Sequence, residues 1–197
     1  MQRTEIIHAE QIRLLYANAP AGCVATVLNV ILLALIQWPV IAPLRIMFWL
    51  ASMLALTVLR AVLVWRFQRR APAAPAIGRW GTLFGLGTLG AGLGWGCAGV
   101  WLFPVASITH QVFLAFVLGG MIAAAVGLLA ARLWVFLSFA GPAAVPIIVR
   151  LLAQGDTLSR TMGGMMALLS MVFIFAAWKL HCTILTSFIY ASTTTNW

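Results

Sequence analysis

HQVFLAFVLGGMIAAAVGLLAARLWVFLSFAGPAAVPIIVRLLA (His110–Ala153) is the stretch that decides the fold. It holds two apolar runs, His110–Ala131 and Leu133–Ala153, on either side of one basic residue, Arg132. A helix rises about 1.5 Å per residue, so a hydrocarbon core of about 30 Å takes about 20 residues to cross. Each run therefore has the length of one crossing, and Arg132 marks the turn between them. Working outward, four more stretches qualify: Ala21–Trp38, Arg45–Trp65, Gly81–Phe103 and Thr161–Leu180. The first is short and can begin at Asn18–Pro20, because proline is tolerated in a first helical turn. None alternates as a barrel strand would, and lipid admits only helices or closed barrels. The expectation is an all-α, polytopic membrane protein with six transmembrane helices.

Composition points the same way. Of 197 residues, 63% are hydrophobic and 8% charged, where a soluble domain carries about a quarter charged. Only Glu5, Glu10 and Asp156 are acidic. The net charge of +9 comes from arginines spread over the span ends, without the basic patch and interleaved aromatics of a nucleic-acid binder. The expected partner is the lipid bilayer; nucleic acid is not one.

Basic residues near span ends choose the side. With six crossings both termini share a side, and it carries Arg3, Arg13, Arg66, Arg69, Arg70, Arg79, Arg132 and Lys179. The other side has Arg45, Arg150 and Arg160. This asymmetry predicts N-in/C-in topology, with both termini cytoplasmic. Residues 1–20 then form a cytoplasmic N-terminal amphipathic segment, 21–180 the six-helix domain, and 181–197 a cytoplasmic helix extension and tail. Glu5–Tyr16, with Ile6, Ile7, Ile12, Leu14 and Leu15, fits a surface helix or a continuation of the first span. Pro39–Leu44, Pro104–Thr109 and Gln154–Arg160 read as brief outer turns, and Arg66–Trp80, with Pro72 and Pro75, as a longer cytoplasmic loop. A cleaved signal peptide needs a small-residue site after its apolar run. Ile36-Gln37-Trp38-Pro39-Val40 is bulky there, so an uncleaved first span is expected.

Small and aromatic residues read mainly as packing. Gly81/Gly85, Gly90/Gly94 and Gly92/Gly96 have the spacing that lets helix backbones approach closely, with Gly85, Gly92, Gly96 and Gly99 near one face. Trp38, Trp49 and Trp101 toward the outer side, and Trp65, Trp80, Trp134 and Trp178 toward the inner, form interfacial belts; Trp95 is deep. Met162, Met165, Met166 and Met171 suit core filling. Cys23, Cys97 and Cys182 have no zinc or redox spacing.

Ionisable groups at membrane depth are the functional candidates. Arg60 lies inside the second span, either snorkelling to the interface along its own stem or serving function. Arg150 is expected to pair with Asp156 across the fifth turn. His110 opens the fourth span, as an interfacial cap or as a titrating group near Trp38, Trp101 and Asp156. Asn29 is expected to hydrogen-bond another helix. No paired carboxylates, Walker motif or H-E-x-x-H sequence is present. The expectation is therefore no enzyme, and no metal or cofactor.

EQIRLLYANAP (Glu10–Pro20), HQVFLAFVLGGM (His110–Met121), the Pro142/Pro146–Arg150–QGD run to Asp156, and AAWKLHCTILTSF (Ala176–Phe188) resemble one bacterial family. It is the six-helix membrane sensory region N-terminal to diguanylate cyclases, GGDEF/EAL proteins and sensor histidine kinases. The resemblance implies an inner-membrane signal-input module, a homodimer, whose last helix leads to a cytoplasmic output domain or partner protein. No cyclase or kinase active-site motif follows Phe188, so it carries over no catalytic activity. A small transporter or channel subunit, favoured by the glycine-rich third span and a Pro-broken fifth, is the rival, with a structural membrane protein as a third reading.

Overall fold

The computed structural model describes the backbone of residues 3–70 and 74–194, and the side chains of residues 7–70 and 77–187. Pro72 of the expected loop, residues 195–197 of the expected tail, and the side chains of Ile6 and Phe188 lie outside the described residues. Six helices follow one another: α1 (Arg3–Gln37), α2 (Pro43–Arg70), α3 (Ala74–Trp101), α4 (Ile108–Leu129), α5 (Leu133–Leu152) and α6 (Thr157–Thr194). All six are long and apolar enough to cross a membrane, and no strand occurs among the described residues.

Several helices outrun their apolar cores. α1 begins at Arg3, so Pro20 sits in mid-helix and not in a first turn. An interior proline costs about 3 kcal/mol; burial of Ile12, Leu15 and Tyr16 among other helices holds the N-terminal half in line. Of the expected Arg66–Trp80 loop, residues 66–70 and 74–80 are helical, and residues 71–73 lie outside the described residues. Its alanines are strong helix formers, and Pro75 falls in the first turn of α3, where its missing N–H costs nothing. At the other end α6 runs unbroken for 38 residues, about 57 Å at 1.5 Å per residue.

The two ends of the bundle are defined by cross-helix contacts. At the terminal end the Tyr16 hydroxyl donates to Trp80 O at 3.0 Å, and the Tyr16 ring stacks on Phe67 with 3.7 Å between centroids. Arg132, in the α4–α5 turn, reaches the His8 ring. At the distal end the α1–α2, α3–α4 and α5–α6 turns meet. Among the described residues α2 touches α1 and α3 alone, while α6 rests on α4 and α5 with a slight contact to α1. The order across the bundle is thus α2, then α1 with α3, then α4 with α5, then α6. The outward faces of α2 and α6 are lined by large apolar side chains, among them Phe48, Val58, Leu59, Leu168, Val172 and Phe175, all mostly exposed.

The tightest seam joins α3 to α5. A methyl group at Gly92 would lie 2.6 Å from Phe139 O and 3.0 Å from Ser138 O, and one at Gly96 closer still to Pro142 O. α5 stays helical through Pro142 and Pro146, so it is not broken there. Each proline lacks the N–H that would bond the carbonyl four residues earlier, which frees the carbonyls of Ser138 and Pro142. Those two oxygens face Gly92 and Gly96, an equal spacing of four on the facing helix. Glycine Cα–H groups are the donors within reach, each such contact contributing about 0.5–1 kcal/mol. Gly85 and Gly99 lie on the same face, against Trp134 and Ile147, while Gly87, Gly90 and Gly94 accommodate Arg60, Leu56 and Met53 of α2. The glycines thus serve two seams at once.

Two packing expectations need correction. Trp49 is no belt residue: it is 2% exposed and its indole N–H donates to Gly94 O at 2.8 Å, a bond that draws the ring inward. Met165 and Met171 face outward and only Met166 is buried, because α6 packs on α4 and α5 along one side and turns the other away from the bundle. Trp38, Trp65, Trp101, Trp134 and Trp178 are about half exposed, as belt positions require.

Candidate functional site

Polar side chains gather in two places. At the distal end Gln37, Gln111 and Ser159 are fully buried. Gln111 Nε2 donates to Pro104 O at 3.1 Å and to Val105 O at 3.3 Å, closing the α3–α4 turn. Ser159 Oγ lies 3.4 Å from Gln111 Oε1 and 3.2 Å from Gln154 Oε1, and its single proton serves one at a time. Gln37 Nε2 reaches His110 O at 3.4 Å, leaving Gln37 Oε1 without a partner. This cluster locks three turns together, and it is built from amides and hydroxyls that carry no charge.

His110 belongs to its rim. Its Nδ1 lies 2.6 Å from the hydroxyl of Ser107, which stands at the N-cap position of α4 without a side-chain bond to the helix backbone, so the ring occupies that hydroxyl at the helix start. Asp156 caps α6: its carboxylate accepts the Ser159 N–H at 2.8 Å, a favourable place for negative charge. That bond, then the Ser159 hydroxyl, holds the Asp156 carboxyl below its ordinary value. Arg150 does not pair with it. Its guanidinium lies 5.3 Å from the Phe103 ring, and Glu10–Arg13 is the one ion pair among the described residues. Asp156 is turned toward its own helix N-terminus, where backbone donors outcompete a cation on the preceding helix. Asn29 also stays local, donating to Ala25 O at 2.9 Å on α1 rather than to another helix.

The cap predicts a pH dependence. A carboxyl depressed in the folded state contributes stability above its unfolded value, and the contribution disappears as pH falls through the folded value. Asp156→Ala is expected to speed amide exchange at Ser159 at neutral pH. Asp156→Asn is expected to keep that amide protected, since asparagine caps equally well, and to remove the acid sensitivity. Hydrogen exchange of residues 157–160 measures both.

The second place is inside the terminal half of the bundle. Arg60 is largely buried and lies five residues, about 7.5 Å of helix, deeper than Trp65. Its stem crosses Gly87 of α3, where an added methyl would meet Arg60 Cγ at 3.2 Å and Nε at 3.9 Å. Its stem therefore leans toward α3 and the bundle interior. There it borders a cavity of about 40 Å³ walled by Asn18, Gly22 and Thr26 of α1, Met121 and Leu128 of α4, and Phe139 of α5. Thr26 Oγ1 is satisfied by Gly22 O at 2.8 Å. Among the described residues no carboxylate pairs with Arg60.

Asn18, Gln37, Gln111 and Ser159 escaped attention in the sequence because uncharged polar residues in apolar runs look incidental. A signal was present: each is a hydrogen-bonding side chain within a turn or two of a span end. His181 was visible only as one polar residue on the last helix. In the structure its Nδ1 donates to Ala130 O and Ala131 O at 3.1 Å each, tying α6 to the α4–α5 turn. Set against protein-family models, curated proteins and solved structures, the chain matches none.

Proposed function

We propose that this membrane-embedded chain is a signal-input module of a bacterial signalling protein of the diguanylate cyclase-associated type. In this reading it sits as a homodimer in the inner membrane with both termini cytoplasmic, an orientation supported by the arginine asymmetry. The observation that carries the reading is α6. It is one unbroken helix of 38 residues, about 57 Å long against a core of about 30 Å. It rests on α4 and α5 and is held by His181 where it leaves the bundle. A stimulus that binds one arrangement of the bundle more tightly shifts the position of α6, and the helix delivers that shift to an output. No catalysis is assigned to the module: of its three carboxylates, Asp156 is a helix cap and Glu10 a surface partner of Arg13. The two features that favoured a transporter, the α3 glycines and the α5 prolines, are engaged with each other in packing.

The test joins a diguanylate cyclase output in register after Thr194. Its substrate is cytoplasmic, so cyclic dinucleotide production also reports the side of the C-terminus. The fusion is expected to be active in cells, and His181→Ala is expected to change output at least about fivefold, the scale of an ordinary coupling energy. Output indifferent to His181→Ala in a correctly inserted fusion contradicts the coupling. An inserted but silent fusion contradicts the orientation.

A further inference from the structure

Arg60 faces more than its cavity. On the side of α1 and α2 it also borders a narrow cleft of about 10 Å³ with Ala19, Cys23, Leu63, Val64 and Phe84. Cys23 in turn lines a groove of about 330 Å³ between α1 and α2, with Val24, Leu28, Leu54, Thr57 and Val58. The groove is apolar throughout, since the Thr57 hydroxyl is turned back onto Met53 O at 2.7 Å. Its outer rim is lipid-facing: Val24, Leu28 and Val58 are each about 60% exposed. Groove, cleft and cavity thus adjoin in series, groove and cleft sharing Cys23 and cleft and cavity sharing Arg60 as wall residues. A guanidinium without a carboxylate partner among the described residues stands at its inner part, and an open apolar groove lies at its lipid side.

We infer that this series is a binding site for a long-chain carboxylate, such as a fatty acid, entering sideways from the bilayer. The head lies on Arg60 with the Asn18 amide nearby, and the chain lies in the α1–α2 groove. Two physical points select this ligand. The first is charge: a cation at membrane depth without a carboxylate calls for an anion, and a planar guanidinium matches a carboxylate with two parallel hydrogen bonds. The second is size. At about 10–15 Å³ for the centre of one water, the 40 Å³ cavity admits a head of a few heavy atoms and is too small for a glycerophosphate. The chain itself adds little selectivity, since the groove is no more apolar than the lipid it left. Recognition therefore resides in the head. The site is independent of whether α6 carries a signal.

The experiment uses the full chain in phosphatidylcholine nanodiscs with a palmitate carrying a photoactivatable diazirine on its chain. Crosslinks are expected on residues 23–28 and 54–61, displaced by palmitate and not by methyl palmitate. Arg60→Gln is expected to reduce labelling at least tenfold, and Arg60→Lys to retain part of it. Cys23→Phe, which blocks the cleft and keeps the charge, is expected to abolish labelling at residues 54–61. It also keeps the idea testable if Arg60→Gln fails to fold. In the unaltered chain palmitate is expected to slow alkylation of Cys23 by a lipid-soluble maleimide. Equal labelling in folded Arg60→Gln or Cys23→Phe overturns the proposal, as does equal competition by the methyl ester. Competition by phosphatidylglycerol matching that of palmitate assigns the site to a phospholipid phosphate and overturns the carboxylate.

Discussion

Gly96→Leu is expected to separate α3 from α5 and leave no stable bundle, and Gly96→Ala alone to cost about 2–3 kcal/mol. The cost is steric before it is chemical. A single methyl at Gly96 meets Pro142 O, and one at Gly92 would stand 2.6 Å from Phe139 O. These are backbone atoms of a packed helix and cannot rotate away as a side chain end would. The propensity gain of alanine over glycine, about 1 kcal/mol at most, is too small to offset this. Forcing the helices apart also strips the freed Ser138 and Pro142 carbonyls of the Cα–H groups that face them, in a medium without water to replace these donors. Gly141→Ala is the comparison, because nothing lies within 4 Å of its added methyl; it is expected to be neutral or slightly stabilising. Reversible unfolding in mixed detergent micelles measures all three. Equal stability of Gly96→Ala and the unaltered chain would show that the seam is looser than described.

Gln111→Leu is expected to destabilise the distal end by about 2–3 kcal/mol, a large effect for a nearly isosteric change. The amide donates to two turn carbonyls and offers its oxygen to Ser159, so leucine leaves several buried polar atoms unpaired together. Ser159→Ala is expected to cost less, under about 1.5 kcal/mol, since Gln111 keeps its bonds to Pro104 and Val105 while Gln154 is free to turn to solvent. Proteolysis within residues 102–107 should increase in Gln111→Leu and not in Ser159→Ala. If both variants resist cleavage alike, the turns are held by apolar packing and the amide is incidental.

Six crossings were legible because hydrophobic length is a direct record of bilayer thickness, and Arg132 alone was enough to separate α4 from α5. Helix ends were less legible. Beyond the lipid, continuation is decided by packing and by local propensity, which is why α1 ran past Pro20 and why α2 and α3 took in residues 66–70 and 74–80 of the expected loop. The glycine face of α3 could be read from its spacing. Its counterpart could not: Pro142 and Pro146 looked like a break until their freed carbonyls were seen against Gly92 and Gly96. Among the candidate site residues, Arg60 was visible as a charge at the wrong depth. The direction of its stem depends on Gly87, 27 positions away, and no periodicity in α2 encodes it. Asp156 and Arg150 were brought near one another in sequence, yet short-range backbone donors claimed the carboxylate first.

α6 is nearly bare: about 6% of its apolar window is buried, against 44% in α4 and in α5. For a chain made from its N-terminus onward, this sets an order of assembly. The first five helices can close their shared interior while the sixth is still being delivered, because almost none of that interior belongs to it. α6 then arrives as a late addition, and Ser159 is the buried polar group that it brings to the distal cluster. Shear along its axis bears on α4 and α5, with a slight contact to α1, and reaches α2 and α3 through no direct contact among the described residues.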